Sequence, residues 1–285
     1  MVNFLRHLLP ILSPAFVPPQ NDTVLTRVSS KLDYYLPFHR HAPSLSNACQ
    51  HIYADIDRLK RNDGVGFFNI LAFRGVFFGS PFAQSDRFRW FDSLADWELF
   101  RATGEEEEDG YNGEEYYVKK NCYGQSQTTR ELSLLSSYWE KRLLWNDMFN
   151  QQENPSVMQV YRWLISAVAN NKGGTKKTTL FPNIGNLSAL LICGDLVEAG
   201  ILDMPSASDW AASIDKMGKG SKDGMVTCGL VGTDCGREEF CKAFVSLDNA
   251  LQAELTKEEK DRMGYNIIML EHALCKIKRI GADLF

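Results

Sequence analysis

Apolar residues along this chain recur at intervals of three and four far more consistently than they alternate. Leu132, Leu135 and Trp139, then Val160, Trp163, Leu164 and Ala167, then Phe240, Phe244, Leu247 and Leu251 each fall on one face of a 3.6-residue helix. Ile52, Ile56 and Leu59 do the same. The run from Val65 to Phe78 is apolar on all sides and predicts a buried helix, with a strand as the rival reading for its Phe/Val-rich end. Asp86 to Phe100 reads as another amphipathic stretch, ending before an acidic loop at 103–127. Helix starts are marked by Thr128-x-x-Glu131, Ser206-x-x-Asp209 and Thr256-x-x-Glu259, and by Asn154-Pro155, a cap before a first-turn proline. No alternation is sustained enough to build a sheet, and there is no internal repeat. The pattern therefore predicts an all-α chain with one helical domain over 45–285. Residues 1–44, with six prolines and no sustained period, read as an irregular N-terminal arm.

Composition narrows the class. The 285 residues, 44% hydrophobic and 24% charged, suffice to bury a core without disulfides or metal, which excludes disordered, collagen-like and coiled-coil chains. Seven cysteines, an odd number with no C-x-x-C pair, read as reduced thiols, and neither a zinc site nor a cofactor is expected. Arg6, Pro10 and Pro14 interrupt the apolar N-terminus, a poor match to a signal peptide, and no uncharged apolar run is long enough for a membrane span. The expected location is nuclear or cytoplasmic. Of 36 acidic residues seven lie between Glu105 and Glu115, leaving 29 against 31 basic ones. The rest of the chain would not repel a polyanion, so a nucleic-acid partner is admissible.

Two glycine-containing segments bear on chemistry. Val168 to Thr179, with Lys172-Gly173-Gly174-Thr175-Lys176-Lys177-Thr178-Thr179, looks like the phosphate loop KGGxGKTT of partitioning-type ATPases. Lys176 stands where that loop needs a glycine, the preceding stretch is helical in period, and Pro182 cuts off the helix the loop should open. A nucleotide-hydrolysing loop is therefore not expected. Phe181-Pro182-Asn183-Ile184-Gly185-Asn186-Leu187-Ser188-Ala189 resembles the turn of helix-hairpin-helix DNA-binding proteins, L-P-G-[IV]-G-x-x-[TS]-A. Such a turn aims amide N–H groups and a helix N-terminus at one backbone phosphate. Asn183 replaces the first glycine, a tolerable change because Asn enters the left-handed region more easily than other residues. Ile184 would plug between helices, and Lys172, Lys176 and Lys177 would add sequence-independent attraction to phosphate.

Further along come Cys193-Gly194-Asp195-Leu196, then Gly218-Lys219-Gly220-Ser221-Lys222-Asp223-Gly224-Met225, then Glu271-His272-Ala273-Leu274-Cys275-Lys276. With the hairpin and the upstream Phe68-Asn69-Ile70-Leu71-Ala72-Phe73-Arg74, this order resembles the helical, DNA-glycosylase-like domain of 5-hydroxymethyluracil DNA kinases and of α-glutamyl/putrescinyl thymine pyrophosphorylases. The similarity spans residues 65–280 in short pieces. It implies a helix-hairpin-helix glycosylase-like fold and DNA bearing modified thymine as partner. Leu187 occupies the position of the lysine of lyase-type glycosylases, so Schiff-base chemistry is not implied. Asp203 alone lies near the place of the glycosylase aspartate, and Lys276 replaces a Glu of the pattern. Kinase members of this group owe phosphoryl transfer to a separate phosphate-loop domain that the sequence does not contain.

Asp195 and Arg74 are charges embedded in apolar helices, each costly to bury alone, so each needs the other or a ligand. With Asp203 they form the candidate catalytic set, at the wall of a pocket deep enough for a flipped base. Asn183, Ile184, Gly185, Lys172, Lys176, Lys177, Gly220 and Lys222 form the candidate phosphate-binding set, Gly218, Gly220 and Gly224 making either a second amide nest or a flexible elbow. His272 reads as a satisfied core residue. Three functions stay open: a DNA-base-modifying enzyme, a catalytically idle DNA-binding module, and a helical interaction protein without nucleic acid.

Overall fold

A computed structural model of the protein describes residues 1–107, 115–116, 132–150, 154–168, 178–215 and 219–280. In chain order the α-helices begin with α1 (Val2–Leu8), α2 (Thr23–Ser30), α3 (Leu32–Tyr35), α4 (Pro43–His51), α5 (Ile56–Leu59) and α6 (Val65–Ala72). They continue with α7 (Pro81–Gln84), α8 (Leu94–Glu107), α9 (Ser133–Lys141), α10 (Leu144–Asn150) and α11 (Val157–Leu164). After a short antiparallel pairing of β1 (Ala167–Val168) with β2 (Thr178–Thr179) come α12 (Asn186–Glu198), α13 (Ala207–Ile214), α14 (Lys219–Thr227), α15 (Arg237–Glu254), α16 (Lys257–Met263) and α17 (Ile267–Ile280). The fold is all-α. No helix among the described residues is long and apolar enough to cross a membrane.

The chain divides into two compact units, Met1–Leu45 with Pro205–Phe285, and Ser46–Met204. In the first, α14 packs on α17 and α13 on α15. Residues 1–44, expected as an irregular arm, instead carry α1, α2, α3 and two 3-10 turns, and bury Phe4, Leu5, Leu8, Leu25, Val28 and Phe38. The prolines misled because Pro10 and Pro43 stand in first turns, where the missing N–H costs nothing. Asp22 caps α2 by accepting the N–H groups of Val24 and Leu25. Lys276, on α17, holds α3 in place: its buried ammonium donates to the carbonyls of Asp33 (3.0 Å) and Tyr34 (2.6 Å).

The second unit is built around α6 and α12. All eight residues of α6 are buried, seven of them without a polar side chain, and Phe67 meets Trp145, Trp163 and Phe181 with ring centroids 5.2 Å apart. The helix runs on into a π turn, Phe73–Phe77, closed by the Phe78 N–H donating to the Phe73 carbonyl. The strand alternative for this segment is thereby overturned.

Helix starts agree with the sequence in two places and differ in one. Thr256 and Glu259 form a reciprocal capping box, and Ser206 caps α13. The start expected at Asn154-Pro155 lies at Ser156, which closes its own box with Gln159 while Asn154 takes a left-handed φ of 53°. Thr128 and Glu131 lie outside the described residues. The amphipathic stretch from Asp86 becomes helical only at Leu94, because the Asn69 amide exchanges two hydrogen bonds with the backbone of Phe91 and satisfies it without a helix. That helix then continues to Glu107, into the stretch expected as a loop.

Candidate functional site

Asp195 sits on α12, inside a run of ten consecutive buried residues from Ser188 to Val197, and Arg74 sits in the π turn. They meet as a bidentate pair: Arg74 Nε donates to Oδ2 at 2.6 Å and Nη2 to Oδ1 at 2.5 Å. Tyr53, just past α4, adds its hydroxyl to Oδ2 at 2.9 Å. Burial, reinforced by the negative Asp195, pushes the Tyr53 phenol far above its ordinary range, so it remains a donor. The neighbouring Cys193 thiol is also pushed up, chiefly by burial and then by Asp195, which keeps it protonated. Both members of the ion pair are about 2% exposed, so the pair is enclosed rather than set at the wall of a pocket. Asp203 does not join them; it is exposed and makes no hydrogen bond or ion pair among the described residues. A carboxylate held by three donors in the interior is suited to fixing α12 against the π turn, and it has no open position for a substrate.

The candidate hairpin turn begins after β2, so it is entered from a two-residue strand and not from a helix as the hairpin pattern implies. Thr178 and Thr179, which a phosphate loop would place at the head of a helix, pair with β1. From Phe181 onward the turn has the anticipated form. Asn183 is left-handed with φ 60°, Ile184 is fully buried, and Gly185 is the exposed N-cap of α12. No side chain caps this helix, and among the described residues no acceptor meets the N–H groups of Asn183, Gly185, Asn186, Leu187 or Ser188. The residues that carry these amides, with Thr179 and Ile184, line an open cleft of about 440 Å³. Ser188 is among the lining residues, 4% exposed, with no hydrogen-bond partner for its hydroxyl among the described residues. Gly185 has extended dihedrals (φ −97°, ψ −172°) and nothing within 4 Å of where a Cβ would stand, so neither backbone nor packing demands glycine there. Lys172, Lys176 and Lys177 lie outside the described residues.

The second glycine run is not a flexible elbow at Gly220 and Gly224. Gly220 and Gly224 lie within α14, one turn apart on the face toward α17: a Cβ on Gly220 would come 2.7 Å from Cys275 Sγ, and one on Gly224 would overlap the Leu274 carbonyl. They are close-packing positions on the α17 side of the helix. Gly218 is outside the described residues. Lys222 turns inward to the Cys235 carbonyl instead of outward to an anion. Between the two glycines, the buried Ser221 hydroxyl donates to Glu271 at 2.7 Å, and Cys275 Sγ donates to the same oxygen at 3.0 Å. His272 stacks on His39 with centroids 4.1 Å apart and bonds the Ile268 carbonyl through Nδ1 at 2.9 Å, a satisfied residue. The Glu271-to-Lys276 motif is thus used for helix packing. Residues missed from sequence are Tyr53 and Tyr138; a hydroxyl on a mostly apolar ring gives no sign of its distant partner.

No family model, curated protein or solved structure matches the chain.

Proposed function

We propose that this protein binds the phosphate backbone of DNA through the turn at Asn183-Ile184-Gly185 and the first turn of α12. The observation that carries this reading is the group of unengaged N–H donors around an open cleft at an uncapped helix N-terminus, where the macrodipole favours an anion. A glycine needed for neither φ nor packing leaves room for a phosphate to approach those donors. Lys172, Lys176 and Lys177 precede the turn in sequence and would strengthen the attraction. The enclosed Arg74–Asp195 pair favours a binding module over a base-modifying enzyme at that position. The link to thymine-derived bases rests on the sequence resemblance to the 5-hydroxymethyluracil DNA kinase helical domain.

The test is the affinity for duplex and single-stranded DNA, with and without 5-hydroxymethyluracil, as a function of salt. Backbone binding requires log K to fall linearly with log salt at about −0.9 per duplex phosphate contacted, and K176E/K177E to weaken every sequence alike. A preference for 5-hydroxymethyluracil duplexes supports the modified-thymine context. Binding that ignores salt, or no binding to either nucleic acid, refutes the proposal and favours a helical interaction protein.

A further inference from the structure

Resting on the DNA-backbone reading, we infer that Tyr138, with Gly75 as the position that admits it, is a positioning residue that aims the amides of the turn outward. Tyr138 on α9 is fully buried, and its hydroxyl donates to the Pro182 carbonyl at 2.6 Å. In a trans peptide the C=O and N–H point in opposite directions. Holding the Pro182 oxygen toward the interior therefore turns the next N–H, that of Asn183, away from it, and Asn183 carries the positive φ of 60°. Ile184 is the second anchor, fully buried immediately after.

The hydroxyl reaches Pro182 only because Gly75 has no side chain: a Cβ at Gly75 would overlap the Tyr138 oxygen, with the ring carbons Cε2 and Cζ 2.7 and 2.8 Å away. Gly75 lies in the π turn beside Arg74, whose pairing with Asp195 fixes that turn to α12. The ion pair, the π turn, the phenol and the carbonyl thus form a continuous series of contacts that ends at the phosphate-facing amides. A left-handed non-glycine residue is costly, and it persists where its surroundings hold it. Of the groups that hold it here, the Tyr138 hydroxyl can be removed without removing the ring or the Ile184 anchor.

Y138F is the test, with G185D as a separate arm that places a carboxylate directly at the cleft. Two quantities are read: the sign of φ at Asn183, from its one-bond Cα–Hα coupling in the free protein, and the affinity for a fluorescein-labelled duplex. Losing one positioning hydrogen bond should weaken the duplex about fivefold, alter the Asn183 coupling, and leave the helical content and the slope of log K against log salt unchanged. A purely structural role would lower the melting temperature without moving the Asn183 coupling. An unchanged coupling, or unchanged affinity, in Y138F overturns the inference. If G185D weakens binding while Y138F does not, positioning is wrong and the DNA-backbone reading stands. If G185D also binds as the wild type does, that reading has failed, and the Asn183 coupling still decides whether Tyr138 shapes the turn.

Discussion

Gly185→Asp sets the stability of α12 against affinity for phosphate, and the two move in opposite directions. The position has ordinary extended dihedrals, no neighbour within 4 Å of a new Cβ, and a helix behind it with no side-chain cap. Aspartate at an N-cap is better than glycine by a few tenths of a kcal/mol, and its charge adds about 0.3–1 kcal/mol against the helix dipole. The folded state should therefore gain about 0.5–1 kcal/mol. The same carboxylate occupies the cleft lined by residues 183–188. A second negative charge about 4 Å from a bound phosphate costs roughly 1 kcal/mol in water and roughly 4 kcal/mol at surface dielectric, a loss of about fivefold at the least. Chemical denaturation and fluorescence anisotropy with a labelled duplex read the two quantities on one preparation. Gly185→Ser, which caps without charge, should keep the stability gain and most of the affinity. A Gly185→Asp protein that binds duplex as tightly as wild type would show that these amides are not where phosphate sits.

Three further outcomes follow from the packing. Asp195→Asn leaves a buried guanidinium uncompensated and should cost about 3–5 kcal/mol in denaturant unfolding, while the combined Arg74→Met and Asp195→Leu change should cost much less than the two single changes together; additive losses would contradict a paired interior site. Gly224→Ala, which meets the Leu274 backbone, should destabilise by about 1–3 kcal/mol, more than Gly220→Ala, which meets the movable Cys275 thiol; thermal unfolding ranks them, and the reverse order would contradict the packing assignment. Glu259 is held down to about 2 from its ordinary 4.5, first by the hydrogen bond from Arg6 and then by the Thr256 amide. A depressed carboxyl stabilises fully above its unfolded pKa, so this contribution should fade as pH drops from about 4.5 to about 2, and E259Q should lack that part of the acid slope.

How much of this was legible in the sequence depended on whether a residue's partner was local or distant. Asp195 and Arg74 could be paired across the chain because a lone charge in an apolar run has few alternatives to an opposite charge. Asn183 could be placed in the left-handed region because the turn pattern requires it there. The box at Thr256 and the cap at Ser206 were readable for the same local reason. The π turn was not readable, since one inserted residue leaves the apolar pattern of Val65 to Phe78 unchanged. Nor were the roles of Gly220 and Gly224: glycines one turn apart read equally as a nest, an elbow or a packing face until the Cys275 and Leu274 atoms opposite them are known. The prolines of the first 44 residues suggested irregularity, because a proline in a first turn and a proline that ends a helix look alike in sequence.

Whether the start of α12 holds DNA phosphate, as proposed, is decided by amide-resolved NMR during titration of the full chain with a short duplex. The largest shifts should fall on Asn183 and on Gly185 to Ser188, saturate together, and diminish as salt rises. Shifts concentrated on α14 or α17 with residues 183–188 unmoved, or a titration that leaves every amide in place, would contradict it.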